Sequence, residues 1–206
     1  MSMETHEHHN SNPHHEHPDV VGSRNRLGVV LILVADIAFF LSMLFVYFYL
    51  KQQNVNGMWL PRGTEEMPAV EPISTSGMVQ LLALSAVGLA FNYFAVTGSR
   101  IKSRERINIG TGVALVAAVV ATVLQVYQMN NTGFTTRMGT YTSTYYLFAF
   151  ISLIHLLITV FIALGNWNRG RLGLHTDNHW HLTIGNVWWI WMTVSAGLTA
   201  FTFSMG

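Results

Sequence analysis

The sequence predicts an all-α, polytopic membrane protein, a bundle of five transmembrane helices. Three observations carry that expectation. Only 10% of the 206 residues are charged, where a soluble domain carries about 25%. Hydrophobic residues make up 50% of the chain, and the mean hydropathy is +0.34. Apolar stretches of about 20 residues, long enough as helices to cross a hydrocarbon core, recur between polar loops along the chain. The net charge of +1 supplies no basic field for nucleic acid. With no cysteine, disulfide, thiolate-metal and thiol chemistry are all excluded.

Residues 1–25 read as a disordered, His-rich, cytoplasmic tail, because they hold too little apolar surface to offset the entropy of ordering. His6, His8, His9, His14, His15 and His17 could bind a transition metal. Nothing in their spacing fixes a coordination geometry, so a solvated tail is the simpler reading. The first apolar run is too long for the core of a signal peptide. Residues 26–206 are expected to form the membrane domain.

The first helix is expected at 28–50. Its one charge is Asp36, near the middle. An acid at that depth costs about 3 kcal/mol or more and is a functional-site candidate by default. It is read either as a protonated acid bonded to a neighbouring helix or as a station on a proton or ion path. The loop 51–76 carries Trp59, Pro61, Pro68 and Pro72 with the acids Glu65, Glu66 and Glu71, which argues against a helix there. The second helix, at 77–98, can be capped by Ser74, Thr75 or Ser76. Its small residues Ala83, Ser85, Ala86, Gly88 and Ala90 would let a neighbour approach closely.

A basic turn from Arg100 to Arg106 leads to the third helix, at 107–129. The fourth, at 142–165, holds His155 with Ser152 one turn away. Nine residues separate Asp36 from Leu27, and ten separate His155 from Gly165. At about 1.5 Å per residue the two side chains lie at one depth, so they are expected to pair directly or through a water. The fifth helix, at 184–203, carries Trp188, Trp189 and Trp191. Ahead of it, His175 and His179 at i and i+4 would share a helical face if the segment were helical, and His181 follows. A metal site there would be short of carboxylates, with only Asp177 nearby. Interfacial anchoring by His and Trp fits better.

Five spans place Arg24, Arg26, Arg100, Lys102, Arg104, Arg106, Arg169 and Arg171 on one side, and Lys51, Arg62 and Arg137 on the other. The excess of Arg and Lys predicts an internal N-terminus and an external C-terminus.

These elements resemble subunit III of the haem-copper terminal oxidases. The first helix is similar to the family's G-M-x-L-F-I-x-S-E-x-M-F-F-x-G-L-F-x-A-Y-F through Gly28, Leu31, Phe39, Phe40, Phe45, Tyr47 and Phe48. Asp36 stands for the family's Glu and Ser42 for its Gly. Trp59-Leu60-Pro61 resembles the following W-P-P, and Leu81, Leu82, Leu84 and Ser85 resemble the L-N-T-x-L-L-L-x-S-S segment. Gln125 fits the first position of Q-x-x-E-Y, with Gln128 in place of the acid. Gly133, Thr135, Tyr141, Ser143, Tyr145 and Tyr146 fit G-x-T and Y-G-S-x-F-Y, with Thr142 for Gly. His155 matches the second histidine of T-G-x-H-G-L-H-V, and Ser152 takes the place of the first. Trp180-His181 keeps the W-H step of Y-W-H-F-V-D-V-V-W, whereas Gly185-Asn186 falls where its acid would be.

The resemblance implies a short, five-helix, bacterial form of this subunit in the cytoplasmic (inner) membrane. Its implied role is non-catalytic: packing on oxidase subunit I, alongside subunit II and other respiratory-complex subunits, and holding phospholipid. Haem and copper would sit in those partner subunits and none in this chain, while the complex reduces oxygen to water and pumps protons. No residue is assigned as catalytic or as a metal ligand. Asp36, His155 and Ser152 form the structural or proton-holding candidate. Trp59, Tyr47, Gln125, Trp180 and His181 are candidates for an interface or lipid cleft. Two other readings stay open: the equivalent partner in a quinol oxidase or nitric oxide reductase, and a small metal- or proton-coupled transporter. The second lacks the internal repeats and interrupted helices usual in transporters.

Overall fold

The structure is a computed structural model. It describes residues 18–54, 57, 59–63, 68–176 and 179–205, with backbone alone for 18–21. The histidine-rich stretch 1–17, Glu65, Glu66 and Asp177 lie outside the described residues.

Among the described residues the fold is all helical, with five helices in chain order. They are α1 (Pro18–Gln52), α2 (Ser76–Arg100), α3 (Arg104–Asn130), α4 (Thr140–Arg171) and α5 (Trp180–Ser204). By length and composition α1, over Gly22–Gln52, and α2, α3 and α4 are apolar enough to cross a membrane. The 25 residues of α5 cover about 37 Å at 1.5 Å each, which is also a spanning length. Its Trp, Thr and Asn residues lower its hydropathy.

Every helix runs past the range expected from hydropathy, because hydropathy marks where the lipid ends and hydrogen bonding marks where the helix ends. The largest difference is in α1, which begins at Pro18 instead of near Gly28. Residues 18–25, assigned to the tail on composition, are helical. Proline at the first helical position loses no hydrogen bond, since that N–H has no partner inside the helix. The extension runs beside the start of α5, where a Cβ on Gly22 would meet the Trp180 ring at 3.5 Å.

Helices α2, α3, α4 and α5 form a ring: α2 packs on α3 and α5, and α4 packs on α3 and α5. Helix α1 lies outside this ring, against α4 and α5 only. The turn between α2 and α3 is short. Lys102 takes the left-handed conformation (φ 54°), and the Ser103 side chain caps α3 by accepting from the Arg106 N–H. At the start of α2 the expected cap at Thr75 makes no side-chain bond. The Ser76 N–H instead donates to Ser74 Oγ at 3.4 Å.

Of the small residues on α2, Ser85 and Gly88 are buried, while Ala83, Ala86 and Ala90 face outward. Gly88 is covered by the Trp189 ring. The α2–α3 approach depends on Gly98 and Gly110, neither of which has room for a side chain.

Arginines 100, 104, 106, 169 and 171 gather at one end of the bundle, the arginine end. At the other, the Trp59 end, the 53–75 loop folds back over the helix termini. Trp59 N–H donates to Asn54 Oδ1 (2.9 Å), Val70 N–H to the Pro61 carbonyl (3.0 Å), and Ile73 N–H to the Tyr141 hydroxyl (2.9 Å). Trp59 packs edge-on against Tyr47 (5.0 Å) and Tyr141 (5.6 Å). Phe203 brings α5 into the same aromatic cluster, 5.1 Å from Tyr47. Lys51 Nζ also donates to the Met205 carbonyl, tying the end of α1 to the end of α5.

Gly110→Ala is expected to destabilise the bundle by about 1–3 kcal/mol, as overpacking does. Its Cβ would lie 2.6 Å from the Phe91 carbonyl oxygen. Gly112→Ala, whose Cβ would meet Trp167 at an ordinary 3.6 Å, is expected to be tolerated. Melting of the two variants in detergent, compared with the native chain, checks this.

Candidate functional site

The polar centre of the fold joins α1, α4 and α5. Asp36 and His155 meet directly, with Oδ1 2.9 Å from Nε2. The second carboxyl oxygen, Oδ2, accepts the Trp191 indole N–H at 2.5 Å. Side-chain exposure is 8% for His155 and 17% for Asp36. Local helical geometry aligns the parts. Thr159, one turn past His155, donates to the His155 carbonyl (2.7 Å) and accepts the Trp188 indole N–H (2.8 Å). Trp188 and Trp191 lie three apart on α5, so both indoles face α4 and α1. The Trp188 ring also sits edge-on to the His155 imidazole, at 5.9 Å.

Chemically this is a carboxyl with one partner on each oxygen in low dielectric. Trp can only donate, so Oδ2 is an acceptor. The Oδ1–Nε2 contact accommodates one proton on either atom. Ser152 is not bonded to the acid and lines an interior cavity beside His155.

Trp188, Thr159 and Trp191 were not singled out as site residues by the sequence. A signal was present: Trp191 lies too far along its helix for the interfacial aromatic belt, and a buried indole N–H there needs an acceptor.

The remaining candidates scatter. Tyr47 and Trp59 are 0% and 4% exposed, enclosed by their own chain in the aromatic cluster. Gln125 is 3% exposed and donates to the Ala149 carbonyl (3.1 Å). All three are buried inside the bundle, and Gln125 lines the interior cavity. Trp180 and His181 are half-buried at the arginine end, their rings stacked at 3.4 Å.

The helical face proposed for His175 and His179 does not form. His175 lies in the turn after α4, while His179 precedes the first residue of α5. His175 is fully buried and its Nε2 donates to the Asn166 carbonyl (3.0 Å), a structural engagement. Among the described residues no three or more His, Cys, Asp or Glu converge as a metal group. Asn186, at the position of the family's lost acid, accepts from Asn92 Nδ2 (3.3 Å).

Asp36→Asn is expected to leave assembly largely intact, because the amide oxygen can still accept from Trp191. Asp36→Leu strands the His155 and Trp191 nitrogens and is expected to cost about 1–3 kcal/mol for each buried group left unpaired. The yield of folded chain in membranes, together with its melting temperature, distinguishes the two.

Comparison with known proteins follows the same lines. The family model for cytochrome c oxidase subunit III matches residues 6–198. Cytochrome c oxidase subunit 3 of Trichophyton rubrum is 26% identical over 171 residues, covering 81% of this chain and 61% of the relative. The protein of the same name from Mycosarcoma maydis is 26% identical, with 81% and 60% covered. That of Prototheca wickerhamii is 27% identical over 192 residues, with 88% and 67% covered. The chain thus spans about 60% of the length of the first two relatives. Since the match runs through all five helices and the buried acid–histidine centre, the chain belongs to the cytochrome c oxidase subunit III family.

Proposed function

We propose that this chain is the non-catalytic subunit III of a respiratory haem-copper oxidase that reduces oxygen to water and pumps protons. The observation that carries the reading is the family match along residues 6–198. In this reading the chain packs on subunit I beside subunit II, holds phospholipid against its helices, and leaves haem and copper to its partners.

Helix α1 supports a packing role. Its outward side carries Leu31, Ile32, Val34, Phe39, Leu41 and Phe45, each more than half exposed, a surface suited to lipid or another membrane helix. Of the other helices α1 touches α4 and α5 alone, so much of its circumference is open to such neighbours. The arginine end supports an internal N-terminus by the Lys and Arg rule, within a reading that puts the chain in the cytoplasmic membrane of a bacterium. There Arg104 donates to the Arg171 carbonyl (2.6 Å), and Arg171 lies over the Trp167 ring at 4.8 Å.

Within the subunit, the Asp36–His155–Trp191 centre acts as a structural clasp that can hold a proton. A net charge at mid-membrane is costly. One proton shared between Oδ1 and Nε2, either as acid and imidazole or as carboxylate and imidazolium, leaves the pair neutral overall.

Affinity purification of the tagged chain from its membranes tests the assignment. The expected result is co-purification with haem-bearing subunits, a haem spectrum, and oxygen consumption supported by cytochrome c. Consumption with quinol alone would move the chain to a quinol oxidase. Recovery without any haem protein would overturn the oxidase reading.

A further inference from the structure

The α2–α5 ring holds an open-mouthed cavity of about 40 Å³. It runs from His155 at mid-length to Met78 and Gln128, in the first turn of α2 and the last turns of α3. Phe40 of α1 covers its side between α4 and α5.

Apolar groups form most of the wall, and a purely apolar cavity of this kind stays dry. This one is punctuated along its length by Ser85, Gln125, Ser152, Ser195 and Thr199. Ser195 and Thr199 donate to carbonyls of their own helix, to Met192 (3.1 Å) and Ser195 (2.9 Å). Each hydroxyl oxygen therefore keeps acceptor capacity. At the Trp59 end, Gln128 Nε2 is buried with no hydrogen-bond partner among the described residues. That donor needs an acceptor, and Gln128 is one of the residues that line the cavity. At the other end the cavity stops on the His155 ring. Beyond it, the Trp188–Thr159 bond and the Trp189 ring packed on Ala114 and Ala118 close the bundle toward the arginine end.

We propose that this cavity is a water-filled vestibule connecting the Asp36–His155 pair to the aqueous phase at the Trp59 end, and closed toward the arginine end. Ser85, Gln125, Ser152, Ser195 and Thr199 offer polar contacts to a short file of waters between Gln128 and His155. Through that file the proton held between Asp36 and His155 exchanges with solvent from one side only. Among the described residues the only other titratable group on the wall is Tyr145 of α4; α1, α2, α3 and α5 present apolar, hydroxyl, amide and thioether groups. The pair is therefore the site the vestibule serves. The inference rests on the clasp being able to hold a proton. It is tested by water contact, whereas that reading is tested by Asp36→Asn against Asp36→Leu, so either can fail alone.

Radiolytic hydroxyl-radical footprinting of the assembled protein in its native membrane reads the difference, because side chains beside water are oxidised even when buried. Met192 lines the cavity, and Met43 does not. The two are matched in burial, at 3% and 5% exposed. The expected result is oxidation of Met192 at least about fivefold faster than Met43, in keeping with ordered water beside one and none beside the other. After brief mixing into ¹⁸O-water, the oxygen gained by Met192 should carry the heavy isotope. Ser195→Leu fills the cavity and should bring Met192 down toward the rate of Met43. Equal slow oxidation of both methionines, as with lipid or detergent tails in the cavity, would overturn the proposal. So would Met192 oxidation without isotope uptake, which means trapped water, or a Met192 rate unchanged by Ser195→Leu in a chain that still assembles. If that variant does not assemble, the native Met192-to-Met43 ratio and isotope uptake decide.

Discussion

Asp36 is where three helices become one structure. Helix α1 has few contacts with the ring, on α4 and α5 alone, and much of its surface faces outward. Apolar attraction between helices is weak in lipid, because the tails are as apolar as the side chains. Directional bonds therefore decide where α1 docks. The carboxyl supplies two of them, to His155 on α4 and Trp191 on α5. These fix the rotation of α1 about its axis and its height along the bundle at once. A shorter acid than the family's Glu reaches both partners here, because α1 meets the α4–α5 seam at that level.

The clasp is reinforced at the two ends by different chemistry. At the Trp59 end, Tyr47, Trp59, Tyr141, Phe148 and Phe203 meet edge-on at centroid separations between 5.0 and 6.2 Å. Such geometries set ring electron density against ring edges and lock the loop onto α1, α4 and α5. At the arginine end, packing relies on buried amides and on the Ser99 hydroxyl, which donates to the His175 carbonyl. Asn92 reaches across from α2 to the Leu182 carbonyl at 3.2 Å. The tight α2–α3 pair, with glycines facing backbone, needs no such polar reinforcement.

Much of this was legible in the sequence. Five apolar runs gave five helices, since satisfying the backbone in lipid leaves a spanning chain few other conformations. Depth counting along two helices brought Asp36 and His155 to one level. Counting could not supply azimuth, so Trp191 and Thr159 were missed: their roles depend on which way α5 and α4 turn. The burial of Tyr47, Trp59 and Gln125 had no signal in their motif matches, because an isolated match does not say whether a residue looks into its own bundle or away from it. The start of α1 was placed late, since hydropathy falls at Leu27 while the helical hydrogen bonds continue back to Pro18. The cavity had no signature at all. Ser85, Gln125 and Ser195 come from three helices and acquire a common purpose only when packed.

The clasp also has a history in the making of the chain. His155 follows Asp36 by 119 residues and Trp191 follows it by 155. A ribosome producing about 5–20 residues per second delivers the acid many seconds before either partner. During that interval α1 rests in the bilayer with its carboxyl unanswered. Arrival of α5, made after α4, is what completes the bonding. The order of synthesis therefore makes α5 the piece that closes the clasp. Until Trp191 is made, His155 alone holds the carboxyl, and Oδ2 has no indole from which to accept.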